Sequence, residues 1–189
     1  MKRGLPLLFL PTLLFSGSPA DRYGHHPYEE APAASLASAG RYRKSGRVVQ
    51  MRREAAEAFR AMAAAASSDG IRLIPISGFR SVAYQEGLWK KAVVRRGSEE
   101  AAAKWVAPPG HSEHHAGWSL DLGDEEAPAT DVDPSFETTK AFTWLQANAS
   151  RFHFELSFPK NNPQGVSYEP WHWRFIGTVD ARRTLHPDN

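Results

Sequence analysis

Gly110-His111-Ser112-Glu113-His114-His115-Ala116-Gly117-Trp118-Ser119-Leu120-Asp121 and, about fifty residues on, Tyr168-Glu169-Pro170-Trp171-His172-Trp173-Arg174 are the stretches that decide how this chain is read. Together they hold two histidines and a carboxylate able to bind a metal ion, with a second carboxylate close to one of the histidines. That is the donor set of a hydrolytic zinc site, which needs three protein ligands, a position left open for water and a general base beside it. The spacing constrains the fold. His114 and Asp121 are seven residues apart and would face opposite sides of one continuous strand. The chain must turn between them, and Gly117 can supply that turn. His114 then sits on the incoming loop, while Asp121 shares the inward face of a strand with Ser119. In the second stretch His172 and Arg174 share one strand face. Trp171 and Trp173 share the other, where they can pack in the core or wall a cleft. Glu169 precedes His172 by three residues across Pro170, so a bend must bring both to one place. The pattern is not the helical HExxH of the common metalloproteases.

The rest of the chain narrows the chemistry. Its 189 residues suffice for one domain with a real core. An apolar content of 41% and a charged content of 23% are those of a globular protein. The net charge of +2 comes from interspersed acids and bases, with no basic stripe of the kind that binds nucleic acid. Cysteine is absent, which excludes disulfides, a thiol nucleophile and a thiolate metal site. Any transition metal must be held by His, Asp or Glu. Met1-Lys2-Arg3, an apolar run from Leu5 to Phe15 and Ser16-Gly17-Ser18-Pro19-Ala20 resemble a secretory signal cleaved after Ala20. That run is too short to span a bilayer comfortably, so the mature chain is expected to have no membrane span. The expected location is the periplasm or cell envelope. The competing reading is a cytoplasmic protein with an unstructured apolar start.

Residues 21–50, rich in His, Pro, Ala, Ser and Gly, read as a linker or a docked N-terminal arm, and residues 51–189 as the domain. Helical spacing of Ala55, Phe59, Met62, Ala63 and Ala66 predicts a helix over 51–67. Ile71–Ile76 reads as a strand in which Pro75 marks an edge or bulge. Helices are expected over 82–95 and 98–105, and a further one opening after Asp133-Pro134 with Ser135 as N-cap. Strands are expected at 119–122, 154–158 and 171–176. Nothing resembles a heptad, so a monomer is expected.

Ser112-x-His114-x-x-Gly117-x-Ser119-x-Asp121 followed by Glu169-x-x-His172 resembles the zinc metallopeptidase superfamily of lysostaphin, the D-Ala-D-Ala peptidases and the Sonic hedgehog N-domain. Within it the chain is similar to the VanY-type D-alanyl-D-alanine carboxypeptidases. Ser77-Gly78-Phe79-Arg80-Ser81 with Gln85, Pro109 to His115 and Glu169 to Arg174 support this, and the likeness covers roughly residues 50–178. The resemblance implies an α+β fold, with a small antiparallel sheet that carries a zinc site and is flanked by helices. It implies one Zn2+ per chain, with His114, Asp121 and His172 as ligands and Glu169 as catalytic base. Arg80 matches an arginine that engages the substrate carbonyl and the developing oxyanion; Ser112 and Gln85 match substrate-pocket positions, and Trp171 and Trp173 are taken with them. The implied substrate is a peptidoglycan stem peptide ending in D-Ala-D-Ala. The departures are Ser119 where alanine is commoner, His111 at the pocket rim, and His153 in place of a frequent glycine.

Such a metal keeps an open position and brings the pKa of bound water to about 7 in favourable cases. Whether Arg80 clamps the substrate's terminal carboxylate as well as the oxyanion is left open by the sequence. Two readings within the fold compete, a D,D-dipeptidase and an L-alanyl-D-glutamate endopeptidase. One from another class is a non-catalytic, zinc-containing peptidoglycan-binding module, against which the presence of Glu169 argues. His25, His26, His153 and His186 read as ordinary surface or core histidines, and His115 as a neighbour that points away from His114.

Overall fold

The computed structural model describes residues 20–186, so of the expected leader only Ala20 lies within the described residues. Leu36–Arg41 (β1) and Val48–Arg52 (β2) pair as an antiparallel hairpin, and Arg53–Ser68 (α1) follows directly. Along α1 the buried residues Ala55, Phe59, Met62 and Ala66 form the apolar stripe that its spacing predicts. Leu73–Ser77 (β3), Val82–Arg96 (α2), Glu99–Ala103 (α3), Ser119–Asp124 (β4), Lys140–Asn148 (α4), Phe154–Leu156 (β5), His172–Phe175 (β6) and Val179–Leu185 (α5) complete the elements. The four later strands make one sheet in the order β3-β4-β6-β5, antiparallel throughout. This is the α+β arrangement expected from the sequence. β3 lies at the sheet edge and its register shifts between Pro75 and Ser77, which is how a proline without an N–H is tolerated there. β4 is an interior strand, and all six of its residues are buried. Leu120 and Leu122 join the core cluster with Met62, Phe142 and Trp173, while the alternate residues Ser119 and Asp121 turn to the opposite face.

Two expectations need correction. Ser135 is not a helix N-cap. Asp133 caps a short 3₁₀ turn, Pro134–Thr138, and Thr139 then caps α4 by accepting from the N–H of Phe142. The proline after Asp133 starts only a tight turn, and the α-helix begins one turn later. The boundary placed between residues 50 and 51 falls inside β2, so the chain does not divide there. Residues 20–50 are packed on the rest. Tyr28, Ala31 and Val49 are buried. The N–H groups of Tyr28, Ala31 and Arg52 donate to the carbonyls of Gly110, His115 and Gly117, each at 2.8 Å. The arm thus frames the loop that carries His114.

That loop depends on Gly117, whose φ of +74° lies in the left-handed region. A Cβ there would sit 3.1 Å from Ala31 Cβ and 3.2 Å from Arg52 Cγ. Gly117→Ala should therefore destabilise the fold by about 1–2 kcal/mol, lowering Tm by roughly 2–8 °C for a chain of this size. Thermal unfolding in the presence of a chelator, so that bound metal does not mask the effect, checks this. An unchanged Tm would mean that the loop relaxes to accept a side chain.

Candidate metal centre

His114 lies on a 3₁₀ turn, Glu113–Ala116, which Gly117 closes. Asp121 lies in β4, and the β4–β6 register sets it directly opposite His172, the first residue of β6. His114 Nε2 is 3.4 Å and His172 Nδ1 3.2 Å from Asp121 Oδ1, and the ligand atoms of all three residues lie within 4.8 Å of one another. Two hydrogen bonds, one to backbone and one to a side chain, aim these atoms. His114 Nδ1 donates to the carbonyl of Gly78 at 2.7 Å, which leaves Nε2 facing the cluster. His172 Nε2 donates to Glu113 Oε2 at 2.9 Å, which leaves Nδ1 facing it. Gly78 must be glycine for this, because a Cβ there would run into the carbonyl of Gln50.

The cluster fits a zinc ion on its own geometry. Among the described residues His114 Nε2 and Asp121 Oδ1 are buried with no hydrogen-bond partner, a state that native interiors rarely tolerate without an ion or water. Bonds of about 2.0–2.1 Å in a tetrahedron separate neighbouring donor atoms by about 3.3–3.5 Å, close to the 3.2 and 3.4 Å from Asp121 to the two histidines, with all three donor atoms within 4.8 Å. Two imidazoles and one carboxylate are a borderline donor set that suits zinc.

The electrostatics agree. Burial opposes ionisation of Asp121, but His114, His172 and Arg80 hold it well below the usual carboxylate range. Burial also works against a charged His172, yet the facing Asp121 carboxylate and the hydrogen bond to Glu113 push it up to about 10. Burial and the nearby Arg80 bring His114 down to about 4. A metal ion bound by these groups would compete with protons for the same imidazole nitrogens. Glu169 Oε2 is 3.8 Å from His172 Nδ1. Burial, reinforced by Asp121, pushes Glu169 up to about 8, against the pull of His172 and Arg80. A bound cation would draw it back down.

These groups open on a cavity of about 370 Å³ also lined by Arg80, Gln85, Ser112 and Trp171. Arg80 Nη1 donates to Gln85 Oε1 at 3.2 Å and Nη2 to Asp121 Oδ2 at 3.4 Å, while its buried Nε has no partner. His115, pointing away from His114 as expected, fixes the Arg80 backbone through a 2.6 Å bond from Nδ1 to its carbonyl. Trp173 does not line the cavity. Its indole N–H donates to Pro170 O at 2.9 Å and its ring meets Phe142 in the core. Strand alternation sends it to the face opposite His172, whereas Trp171 belongs to the preceding turn and escapes that alternation. His111 lies off the cavity wall, bonded to Pro109 O and close to Ala20 O. His153 occupies the left-handed region at φ +62°, which accounts for glycine as its usual counterpart.

Two residues were missed. Glu113 is buried beneath His172 and is held below the usual carboxylate range. Burial opposes its charge, but the His172 hydrogen bond and Arg174, at 2.9 Å, outweigh that. Ser119 and Ser157 also donate to it. The signal was present, since His172 and Arg174 share a strand face that needs a carboxylate to meet it. His25 lines the cavity from the N-terminal arm, with its Nε2 donating to Ala103 O at 2.8 Å and its ring edge-on to Phe158. Nothing local in the sequence marks it.

Fold and site together define an α+β protein with a buried His/Asp/His cluster that could hold a metal ion. A family model described as VanY, D-alanyl-D-alanine carboxypeptidase, matches residues 48–178. The chain belongs to this family. It is 33% identical over 132 residues to a D-alanyl-D-alanine carboxypeptidase of Enterococcus faecalis (strain ATCC 700802 / V583), covering 65% of this chain and 47% of that protein. Among solved structures it is similar to the LdcB LD-carboxypeptidase, with a TM-score of 0.70 and 30% identity over 87% of this chain and 78% of that one. It is also similar to a variant of the D,D-pentapeptidase VanY, from a VanB-type vancomycin resistance cassette, in complex with Zn(II). There the TM-score is 0.63 at 27% identity, over 85% of this chain and 89% of that one. The chain spans about half the length of the curated relatives it matches.

Glu113→Gln should weaken zinc binding about 10–100-fold, because the outer partner of a ligating histidine orients the ring and raises its basicity. Competition against a chromogenic chelator measures this, and unchanged affinity would remove Glu113 from that role. Burial lowers the pKa of His25 from its ordinary 6.5, against the bond to Ala103. Its stabilising contribution is therefore complete above 6.5 and is lost as pH falls through the lowered folded value. In chelator-treated protein, unfolding free energy should fall more steeply from about pH 6.5 to 5 in the parent than in His25→Gln. Equal slopes would show that His25 is not the group titrating.

Proposed function

We propose that this chain is a zinc-dependent D,D-carboxypeptidase that removes the terminal D-alanine from peptidoglycan stem peptides or their precursors, with one zinc ion per chain. The observation that carries the proposal is that Glu169 and Arg80 both line the cavity beside the His/Asp/His cluster, 3.8 Å from His172 and 3.4 Å from Asp121 respectively. His114, Asp121 and His172 would hold the ion, which supplies Lewis acidity and makes water a nucleophile at neutral pH. Glu169 takes a proton from the attacking water as its oxygen bonds to the scissile carbonyl carbon. As the C–N bond breaks, Glu169 returns that proton to the departing D-alanine amine. Arg80 meets the negative charge that develops on the carbonyl oxygen; its unpartnered Nε and its guanidinium anchored on Gln85 and Asp121 are set before substrate arrives. Ser112, Gln85 and Trp171 wall the pocket around the terminal residues. The same proposal places the protein outside the cytoplasm, where such peptides are exposed. Among the described residues, no helix is long and apolar enough to cross a membrane.

A second reading, an L,D-carboxypeptidase acting on tetrapeptide stems, is favoured by the likeness to LdcB. Mass spectrometry of a muramyl pentapeptide and tetrapeptide incubated with zinc-loaded protein separates the two. Loss of one D-alanine from the pentapeptide alone supports the D,D activity. Loss from the tetrapeptide alone supports the L,D activity, release of the D-Ala-D-Ala dipeptide a dipeptidase, and an internal cut an endopeptidase. Glu169→Ala should lower turnover at least about 10²–10⁴-fold with zinc still bound. No cut by the zinc-loaded parent would favour the binding module.

A further inference from the structure

One face of α2 runs along the cavity, contributing Gln85, Leu88, Lys91, Ala92 and Arg95. Its inner end is tied to the metal centre, because Gln85 holds Arg80 at 3.2 Å and Arg80 holds Asp121. Its outer end carries two cations without anions. Lys91 and Arg95 are exposed and, among the described residues, neither makes an ion pair or a hydrogen bond. Their neighbours are occupied elsewhere, Lys90 with Glu86 at 2.7 Å and Arg96 over the Trp105 ring at 5.0 Å. The carboxylates that line the cavity, Glu113, Asp121 and Glu169, all belong to the metal end. The cavity is therefore polarised: its carboxylates and Arg80 pair at the His/Asp/His end, while Lys91 and Arg95 stand at the far end without an ion pair among the described residues.

Length sets what those cations meet. At about 1.5 Å of rise per residue, Lys91 lies about 9 Å and Arg95 about 15 Å along α2 from Gln85. An extended peptide, at about 3.3 Å per residue, covers those distances in about three and five residues. Long lysine and arginine side chains reach back over part of that span. We propose that Lys91 and Arg95 form an anionic subsite that selects peptides bearing free side-chain carboxylates two or three residues before the scissile bond. The proposal rests on the peptidase reading for the direction in which the peptide lies, and it names the substrate class as acidic peptides whose carboxylates are not amidated.

Two peptides, acetyl-Glu-Glu-D-Ala-D-Ala and acetyl-Gln-Gln-D-Ala-D-Ala, differ only in the charge at issue. Calorimetric titration of each into the zinc-loaded full chain carrying Glu169→Ala measures binding without turnover. The acidic peptide should bind about five- to tenfold more tightly at low salt, with the difference shrinking as salt rises. Adding Lys91→Glu and Arg95→Glu should invert the preference, a result that misfolding cannot imitate. Equal affinity for the two peptides, failure of both to bind, or a preference that survives the charge reversal would each overturn the subsite. Release of D-alanine by the Glu169 parent is followed in parallel. Cleavage of both peptides with no charge preference leaves the peptidase standing without the subsite. A charge preference in binding with no D-alanine released leaves the subsite standing without the peptidase.

Discussion

Mutual compensation among buried charges is the constraint on which this structure rests. Glu113, Asp121 and Glu169 lie beside His172, Arg80 and Arg174 in one buried region, and an uncompensated ion there would cost several kcal/mol. Glu113 is the best satisfied, receiving His172, Arg174 and two serine hydroxyls. Asp121 has Arg80 and both metal-facing histidines. Glu169 has the least, and burial accordingly raises its affinity for a proton. The three carboxylates thus share one region but differ in how far their charge is compensated, with Glu169 the least.

Such a network holds only if the elements carrying it cannot slide. A shift of one residue between β4 and β6 would turn His172 away from Asp121 and send Trp173 into the site. Several contacts oppose that. Trp173 is anchored in the core on Phe142, and Arg174 is held by Glu113 on the site face and by Glu155 at 2.6 Å. The N-terminal segment then fixes the remaining ligand. It pairs its backbone with the loop that carries His114, and the Gln50 carbonyl accepts from Phe79 N–H at 2.6 Å, beside the Gly78 carbonyl that orients the His114 ring. What the composition describes as a Pro/Ala/Ser-rich arm braces the loop that carries His114 and lends His25 to the cavity lining.

The parts of the centre that could be read from sequence are those in which chemistry and local spacing coincide. His114, Gly117 and Asp121 announce a ligand, a turn and a ligand, and the left-handed Gly117 and inward Asp121 follow from strand geometry alone. Pro75 marks an edge strand for an equally local reason, its missing N–H. Strand alternation alone would set Trp171 on the face of Trp173, but Trp171 lies in the turn before β6 and lines the cavity. Pro134 opens a 3₁₀ turn, and the α-helix that follows starts only after Thr139.

By itself, the sequence determined which atoms are available for chemistry: imidazole and carboxylate donors with no thiol among them, a second carboxylate near a histidine, and an arginine ahead of a helix. These are properties of side chains and of neighbours a few residues away, and backbone periodicity is enough to place them. Only the tertiary structure decided which of those atoms meet. It set Glu113 beneath His172 across 59 residues of chain, brought His25 to the cavity wall beside Ala103 across 78, and left Lys91 and Arg95 lining the cavity with no ion-pair partner among the described residues. Those juxtapositions depend on strand register and on how segments distant in sequence pack. Register and packing are set by the burial of the whole core, which no local pattern encodes.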